Sequence, residues 1–331
     1  MTPDRPTLTV FVPHYNRTGT LDRMFASLAA QTLPASEILF VDDGSDEDVR
    51  PHLAPWMDRL PIRLIRFDSN RGLRAVKHRA VSEAAGDFVA QLDADDTYAD
   101  TFLEVMSDAM RRTDADVAAC LFERRAADGT PREARPAPGR EVLVTGDDLL
   151  RSVGTECPAV RLWPVNAAGA KMFRTEAARR ALPHFDPEVH QVFAEDSVFN
   201  MLVLSEARRM ICIPARLYDY YEHPNSTRTE MSTVQRDKAV LDGLHYGRAV
   251  QALADRLIEA RPDLAAVLDR QLFRAHIKRF RNVFPDRKPF AEDFATCLAD
   301  LPAEVRPLFR TCHVVVRLRH ETAKKARPKK A

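Results

Sequence analysis

The sequence predicts an α/β fold with a mostly parallel central sheet. Three observations carry this. Short apolar runs rich in Val, Ile, Leu and Phe recur along the first part of the chain. Segments with a helical apolar period separate them, and several of the runs end in proline or aspartate. Strand, helix and strand in alternation build a parallel sheet, because a crossover helix returns the chain to the same edge.

The elements follow in order. Residues 8–12 form an apolar run ended by Pro13 and read as a buried strand. Leu21, Met24, Phe25 and Leu28 recur at i, i+3, i+4 and i+7, which predicts a helix with Thr18 or Thr20 as its N-cap. A second strand over 38–41 ends in Asp42, Asp43, Gly44 and Ser45, and a third, with alternating apolar residues, covers 62–67. A helix over 73–85 stops at Gly86, a residue suited to the C′ position. The fourth strand, 88–92, runs into Asp93, Asp95 and Asp96. A helix near 101–112 and a strand near 117–122 continue the alternation.

Residues 124–145, rich in Arg, Pro, Ala and Gly, read as an exposed excursion. Beyond Lys171 a helix is expected over 195–204, with strand-like runs at 209–213 and 217–221. After Met231 the pattern is helical, with Val240, Leu244, Leu253 and Leu257 on one face and Leu264, Val267, Leu268, Leu272 and Phe273 on another. The expected division is therefore a domain over 1–230 and a helical region with a basic tail over 231–331. No internal repeat is visible.

Composition excludes several classes. The chain has 331 residues, 45% hydrophobic and 29% charged, with a net charge of +1, so nothing draws it as a whole to nucleic acid. No apolar run approaches the roughly 20 residues of a membrane span, and the N-terminus lacks the apolar core of a signal peptide. The 5 cysteines are scattered without a C-x-x-C pair, which fits reduced cytosolic thiols. Lys324, Lys325, Arg327, Lys329 and Lys330 make the tail basic, either as a solvated end or as a peripheral contact with anionic lipid at the inner membrane face. The oligomeric state is left open, since no heptad pattern is visible.

The acidic cluster carries the chemistry. Asp93 and Asp95 lie two apart, so on an extended chain both point to one side. Carboxylates at the end of an apolar run need a cation or hydrogen-bond donors. Mg²⁺ or Mn²⁺ prefers oxygen ligands and often takes only one or two carboxylates plus substrate phosphates. The cluster therefore points to a metal-assisted site for a phosphate-bearing substrate, although the same residues could cap the following helix. In open α/β sheets ligands bind outside the carboxyl ends of the strands, and Pro13, Asp42 and Asp93 all stand there.

The motifs, in their order, resemble a bacterial family 2 glycosyltransferase of the GT-A fold, of the surface-glycan type. Residues 8–16 resemble the family's opening S-V-I-I-P-x-Y-N, and 41–45 match its V-D-D-G-S. Asn70-Arg71-Gly72 resembles N-x-G, and 84–96 resemble A-x-G-x-Y-I-x-F-L-D-x-D-D. Residues 195–200 match E-D-x-x-F-N, and 217–227 resemble a tract ending Y-Y-x-x-H-P-x-S-x-T. Together they span about two-thirds of the chain. The chain departs from the family's A-R-N-x-G, where Lys77 and His78 replace the arginine and the amide. Lysine keeps the charge without the planar fork.

The resemblance implies a nucleotide-sugar donor, most often a UDP-sugar, bound by Pro13, Tyr15, Asn16, Asp42, Asp43, Lys77, Asp93, Ala94, Lys171 and Arg228. Tyr15 is suited to stack on the base, Asp42 to accept the uracil N–H and Asp93 to accept the ribose hydroxyls, since a carboxylate only accepts. Asp95 is the expected metal ligand, with His223 near the diphosphate or the metal. Lys171 and Arg228 are the expected diphosphate cations. Asp196 is the expected general base for the acceptor hydroxyl, which with one in-line displacement predicts inversion. Acids at a helix start also stabilise its dipole, which accounts for Glu195. The acceptor is expected to be a glycan or lipid-linked hydroxyl on the cytoplasmic side.

Other classes fit less well. A nucleotidyltransferase needs a glycine-rich basic loop after the first strand, and a dinucleotide oxidoreductase needs G-x-G-x-x-G there, whereas the chain has Pro13-His14-Tyr15-Asn16-Arg17. A catalytically degenerate sugar-nucleotide-binding or assembly subunit is the remaining alternative.

Overall fold

A computed structural model describes residues 5–132, 137–153, 157–160, 169–189 and 195–222, with a few single positions beside them. The order begins β1 (Leu8–His14), α1 (Leu21–Ala29), β2 (Glu37–Asp42), α2 (Arg50–Met57), β3 (Ile62–Arg66), α3 (Leu73–Glu83) and β4 (Phe88–Gln91). It continues through β5 (Thr97–Tyr98), α4 (Phe102–Thr113), β6 (Val117–Arg125), β7 (Val142–Thr145), α5 (Asp148–Val153), β8 (Lys171–Arg174), α6 (Thr175–Ala181), α7 (Glu195–Glu206) and β9 (Arg209–Tyr221). All belong to one sheet in the order β3-β2-β1-β4-β8-β6-β9-β5, with β7 added on β9.

The α/β class holds, and the parallel expectation holds for β3, β2, β1 and β4. The second half is mixed. β8 runs antiparallel to both β4 and β6, β6 and β9 are parallel, and β5 and β7 are antiparallel to β9. Hairpin-like returns and long crossovers look alike in a list of short apolar runs, so strand direction was not readable there.

Both faces of the sheet are covered, which is why its central strands are apolar throughout rather than alternating. Leu8, Val10, Val12, Ile38 and Phe40 face a layer with α1, α2 and α4 (Met24, Phe25, Leu53, Phe102, Met106). Phe11, Leu39, Val41 and Val89 face the opposite layer with α3, α6 and α7 (Val76, Val81, Ala178, Phe199, Val203).

Several local expectations are corrected. β1 continues through Pro13 to His14. The Phe11 carbonyl still accepts from Leu92, but two residues on Pro13 turns its missing N–H to that side, where β4 has already ended. Thr20 stands at the N-cap of α1, but its hydroxyl donates to the Ala94 carbonyl at 2.7 Å instead of capping. Gly86 is not a left-handed cap. It is glycine because a Cβ there would meet the Thr9 nitrogen at 2.6 Å, where the chain crosses β1. The runs at 209–213 and 217–221 form one strand, β9. Between Ala119↔Cys212 and Leu121↔Arg216 the strand takes up extra residues around Pro214 as a bulge. The excursion contains β7, and α2 and β5 were not anticipated.

Among the described residues no helix is long and apolar enough to cross a membrane. The helical pattern expected after Met231 and the basic tail lie outside the described residues, except for positions 249, 252 and 253, and so do His223 and Arg228.

Candidate active site

The carboxyl ends of β1, β2 and β4 form one rim, as the topology requires. Asp43 stitches two loops of this rim together. Its carboxylate accepts the Arg71 and Gly72 N–H groups at 2.7 and 2.9 Å, and its own N–H donates to the His14 carbonyl at 2.8 Å. Gly44 has φ +72°, and a Cβ there would lie 2.4 Å from the Ser69 carbonyl carbon, so V-D-D-G-S and N-x-G touch backbone to backbone. Gly72, with φ +87°, opens α3.

Asn16 holds the tip of the first loop. Its φ is +50°, its N–H donates to Ser45 Oγ at 2.9 Å, and its side-chain amide exchanges two 2.9 Å bonds with Asp46. This leaves Tyr15, 46% exposed, presented at the rim, as a base-stacking ring needs. Asp42 is placed differently from the expectation. Its carboxylate is wholly buried, with His14 Nδ1 3.1 Å from one oxygen, the Ser45 hydroxyl donating to the same oxygen, and Arg66 Nη1 2.8 Å from the other. The Arg17 N–H lies 3.3 Å from His14 Nε2. Oδ2 accepts no hydrogen bond among the described residues, Arg66 facing it as an ion pair only, so Asp42 lies buried beneath the loop with one acceptor unfilled.

The acidic loop turns tightly, Asp96 N–H donating to the Asp93 carbonyl at 3.0 Å. Asp93 accepts from Gln91 Nε2 at 2.7 Å. Asp96 is buried and accepts the Tyr218 hydroxyl at 2.6 Å and the Tyr221 N–H at 2.9 Å. Asp95 is paired with the Arg17 guanidinium, and its carbonyl accepts from Arg23, which lies 3.5 Å over the Tyr221 ring. Ala94 is buried between them. Sequence reasoning assigned no role to Arg17, Arg23, Tyr218 or Tyr221. The signal for the tyrosines was present, since a hydroxyl inside an apolar strand needs a buried partner.

The opposite wall is the first turn of α7. Lys77, from α3, is 2% exposed, with Nζ 2.6 Å from Asp196 Oδ1 and 3.2 Å from Glu195 Oε1. It is therefore engaged by carboxylates and is not presented to a donor phosphate. Lys171 is also reassigned. It is wholly buried, and its ammonium donates to the carbonyls of Pro164, at 2.9 Å, and Ala167. His78 faces along α3, its ring 3.5 Å from the Ser82 hydroxyl.

Electrostatics separates these acids. Burial, with the charges of Asp95 and Asp196 added, pushes Asp93 up to about 6, and burial with Asp93 and Asp95 raises Asp96 well above the usual carboxylate range. Burial and the Asp196 charge likewise raise Glu195. Burial alone would raise Asp196 too, but the Lys77 ammonium, a hydrogen bond from Glu195 and the Lys171 charge together overcome it and hold Asp196 at about 2. Lys77 itself is raised, burial being overcome by the same two carboxylates.

The acidic loop gathers three carboxylates, with the Arg17 guanidinium at Asp95, and offers hard oxygen atoms of the kind a divalent cation such as Mn²⁺ or Mg²⁺ takes. Among the described residues no three metal-ligating side chains converge on one point.

Comparison with known proteins bears on the family and the fold. An uncharacterized glycosyltransferase of Bacillus subtilis, EpsJ, is 27% identical over 224 residues, 67% of this chain and 62% of its own length. The cholesterol galactosyltransferase of Borreliella burgdorferi is 23% identical over 238 residues, 71% of this chain and 65% of its own. The alignments thus span less than two-thirds of these relatives. The crystal structure of residues 1–349 of S. aureus TarS in complex with UDP-GlcNAc superposes with a TM-score of 0.65 at 19% identity, covering 98% of this chain and 93% of that one. The same fragment in complex with UDP gives 0.63. The model of glycosyl transferase family 2 matches residues 9–178, just over half of the chain, and the protein belongs to that family.

Proposed function

We propose that the protein is a metal-dependent glycosyltransferase. It moves a sugar from a nucleotide-sugar, a UDP-sugar first among them, to a hydroxyl of a glycan or lipid-linked acceptor, with inversion at the anomeric carbon. The observation that carries this is the meeting of two acidic groups far apart in sequence. The loop of Asp93, Asp95 and Asp96 after β4 and the Asp196 carboxylate at the start of α7 are close enough for the Asp196 charge to raise Asp93. The TarS complexes with UDP and UDP-GlcNAc and the transferase names of the relatives support the same reading.

Roles follow from placement. Tyr15 stacks on the base, and the loop built by Asn16, Asp43 and the buried Asp42 holds Tyr15 in place. Asp93 accepts from the ribose. Asp95 would hold the cation in place of Arg17, and the family resemblance adds His223 as a second ligand and Arg228 toward the diphosphate. A divalent cation there would neutralise charge on the departing nucleoside diphosphate. Asp196, 32% exposed, takes the proton from the acceptor hydroxyl. That oxygen bonds to the anomeric carbon as the bond to the β-phosphate oxygen breaks, and the diphosphate leaves with the electron pair. A positioned base of this kind contributes about 10²- to 10⁴-fold. We place the catalytic domain at 1–230 and the reaction in the cytoplasm, with the basic tail at the inner membrane face.

Calorimetry of UDP with and without Mn²⁺, on wild type and Asp95→Ala, is the test. The expected result is metal-dependent UDP binding lost in the variant. Metal-independent binding would overturn the role of Asp95, and UDP binding without transfer or donor hydrolysis would assign a binding subunit. Retained anomeric configuration in the product, read by NMR, would exclude the single-displacement mechanism.

A further inference from the structure

Lys77 occupies the position where the family arginine was expected, yet it does not open toward the donor loops. Its stem is buried and its head meets two acids on consecutive residues, Asp196 at 2.6 Å and Glu195 at 3.2 Å. The remaining direction is taken by the Phe199 ring, whose centroid lies 5.3 Å from Nζ. Of the three protons an ammonium can give, two go to these acids, and the ring is a cation–π neighbour. The lysine therefore bolts α3 to the first turn of α7, and of the two acids only Asp196 reaches solvent.

We propose that Lys77 is a positioning residue for the transfer, aiming the Asp196 carboxylate at the acceptor hydroxyl and setting its basicity, with no contact to the donor. This rests on Asp196 being the general base. The physical reason is direct. A carboxylate at a helix start has several rotamers, and a buried cation on one oxygen selects one of them. The same cation opposes protonation, so the base stays ionised in acidic solution at the cost of weaker basicity. The other charged groups facing Asp196 are Glu195 beside it, Lys171 from β8 and Asp93 from the acidic loop, while Arg74 of α3 faces Glu195. Lys77 is the cation hydrogen-bonded to Asp196, and the held-down carboxyl, at about 2, has that ammonium as its main opposing cause to burial. A point charge suits this job, since two acids converge on it from successive residues, whereas a planar fork favours a single carboxylate.

Two readouts test it with UDP-GlcNAc as probe. The first is the carboxyl ¹³C titration of Asp196, assigned with Asp196→Asn, in wild type and Lys77→Met. The expected result is an upward shift of more than one pH unit in the variant. An unchanged titration overturns the proposal whatever the catalytic role of Asp196. The second is UDP-GlcNAc hydrolysis against pH. Lys77→Met should lower kcat at neutral pH at least 10-fold, move the acidic limb upward and leave KM and UDP affinity within about twofold. Lys77→Arg should recover part of kcat. Loss of UDP affinity with an unmoved limb would make Lys77 a donor ligand and overturn the proposal. Should Lys77→Met fail to fold, Lys77→Arg and Glu195→Gln carry the same titration. Asp196→Asn that keeps both UDP binding and hydrolysis would instead remove the general-base assignment, leaving the carboxyl titration to judge Lys77.

Discussion

Tyr218 donates its hydroxyl to Asp96 at 2.6 Å, tying β9 to the acidic loop across 122 residues of chain. The same ring packs edge-on against Tyr98, whose hydroxyl donates to the Gln91 carbonyl at 2.7 Å, and Gln91 in turn holds Asp93. The loop proposed to meet the cation is therefore braced from behind by two tyrosines. Removing one bond to a buried acid leaves that acid short of a donor, at about 1–3 kcal/mol. Tyr218→Phe should lose that much in urea unfolding and weaken UDP binding in Mn²⁺. Full stability in the variant would show that the Asp96 bond is dispensable.

Gly169 depends on the same ring. A Cβ at that position would lie 2.2 Å from the Tyr218 ring, so Gly169→Ala must push the tyrosine off Asp96. Its stability loss should match or exceed that of Tyr218→Phe. Because both substitutions break one bond, the double variant should lose less than the sum of the two. Additive losses in a denaturant cycle would separate them.

Phe40 lies under the rim proposed to hold the nucleotide, wholly buried, with Phe25 5.9 Å away on one side and the His14 ring 5.1 Å away on the other. Phe40→Ala should cost about 3–5 kcal/mol, the range for a buried aromatic replaced by alanine. The cavity also removes the floor beneath His14 and Asp42. UDP affinity should fall together with the urea midpoint, and a change in the midpoint alone would uncouple the core from the rim.

Lys171 gives stability a pH slope. Burial pushes its ammonium down to about 7, whereas an unfolded lysine titrates at about 10.4. Between these values the unfolded chain holds a proton that the folded chain lacks, so stability rises with pH, by on the order of 1 kcal/mol per unit at most. From about pH 9 upward Cys120 and Cys212 act in the opposite sense. Burial pushes both thiols up to about 12, and the unfolded chain loses their protons first. Unfolding free energy should therefore climb from about pH 7 to 9 and flatten in Lys171→Met. A slope unchanged in the variant would place the titration elsewhere.

Much of the rim could be seen in the chain itself. V-D-D-G-S carries a left-handed glycine and a carboxylate whose acceptors suit two backbone N–H groups, and Asp43 and Gly44 do that work. The acidic run after an apolar strand had to find hydrogen-bond donors or a cation. Which donors it found was not visible, because Tyr218, Tyr221, Arg17 and Arg23 lie far away in sequence and only folding brings them to the loop. The expected roles of Lys77 and Lys171 came from the family resemblance and their charge, and neither says whether an ammonium faces a phosphate or a buried carbonyl.

The amino-acid order by itself determined the α/β class, the parallel first half of the sheet, the position of the acidic loop at a strand end and the helix that begins at Glu195. These depend on periodicity and on turn chemistry, which are local. Tertiary structure alone decided the antiparallel insertion of β8, the burial of Asp42 under His14 and Arg66, and the pairing of Lys77 with Asp196. Those depend on which residues meet across tens of positions or more, 28 for His14 and Asp42 and 119 for Lys77 and Asp196, and no local pattern encodes such distances.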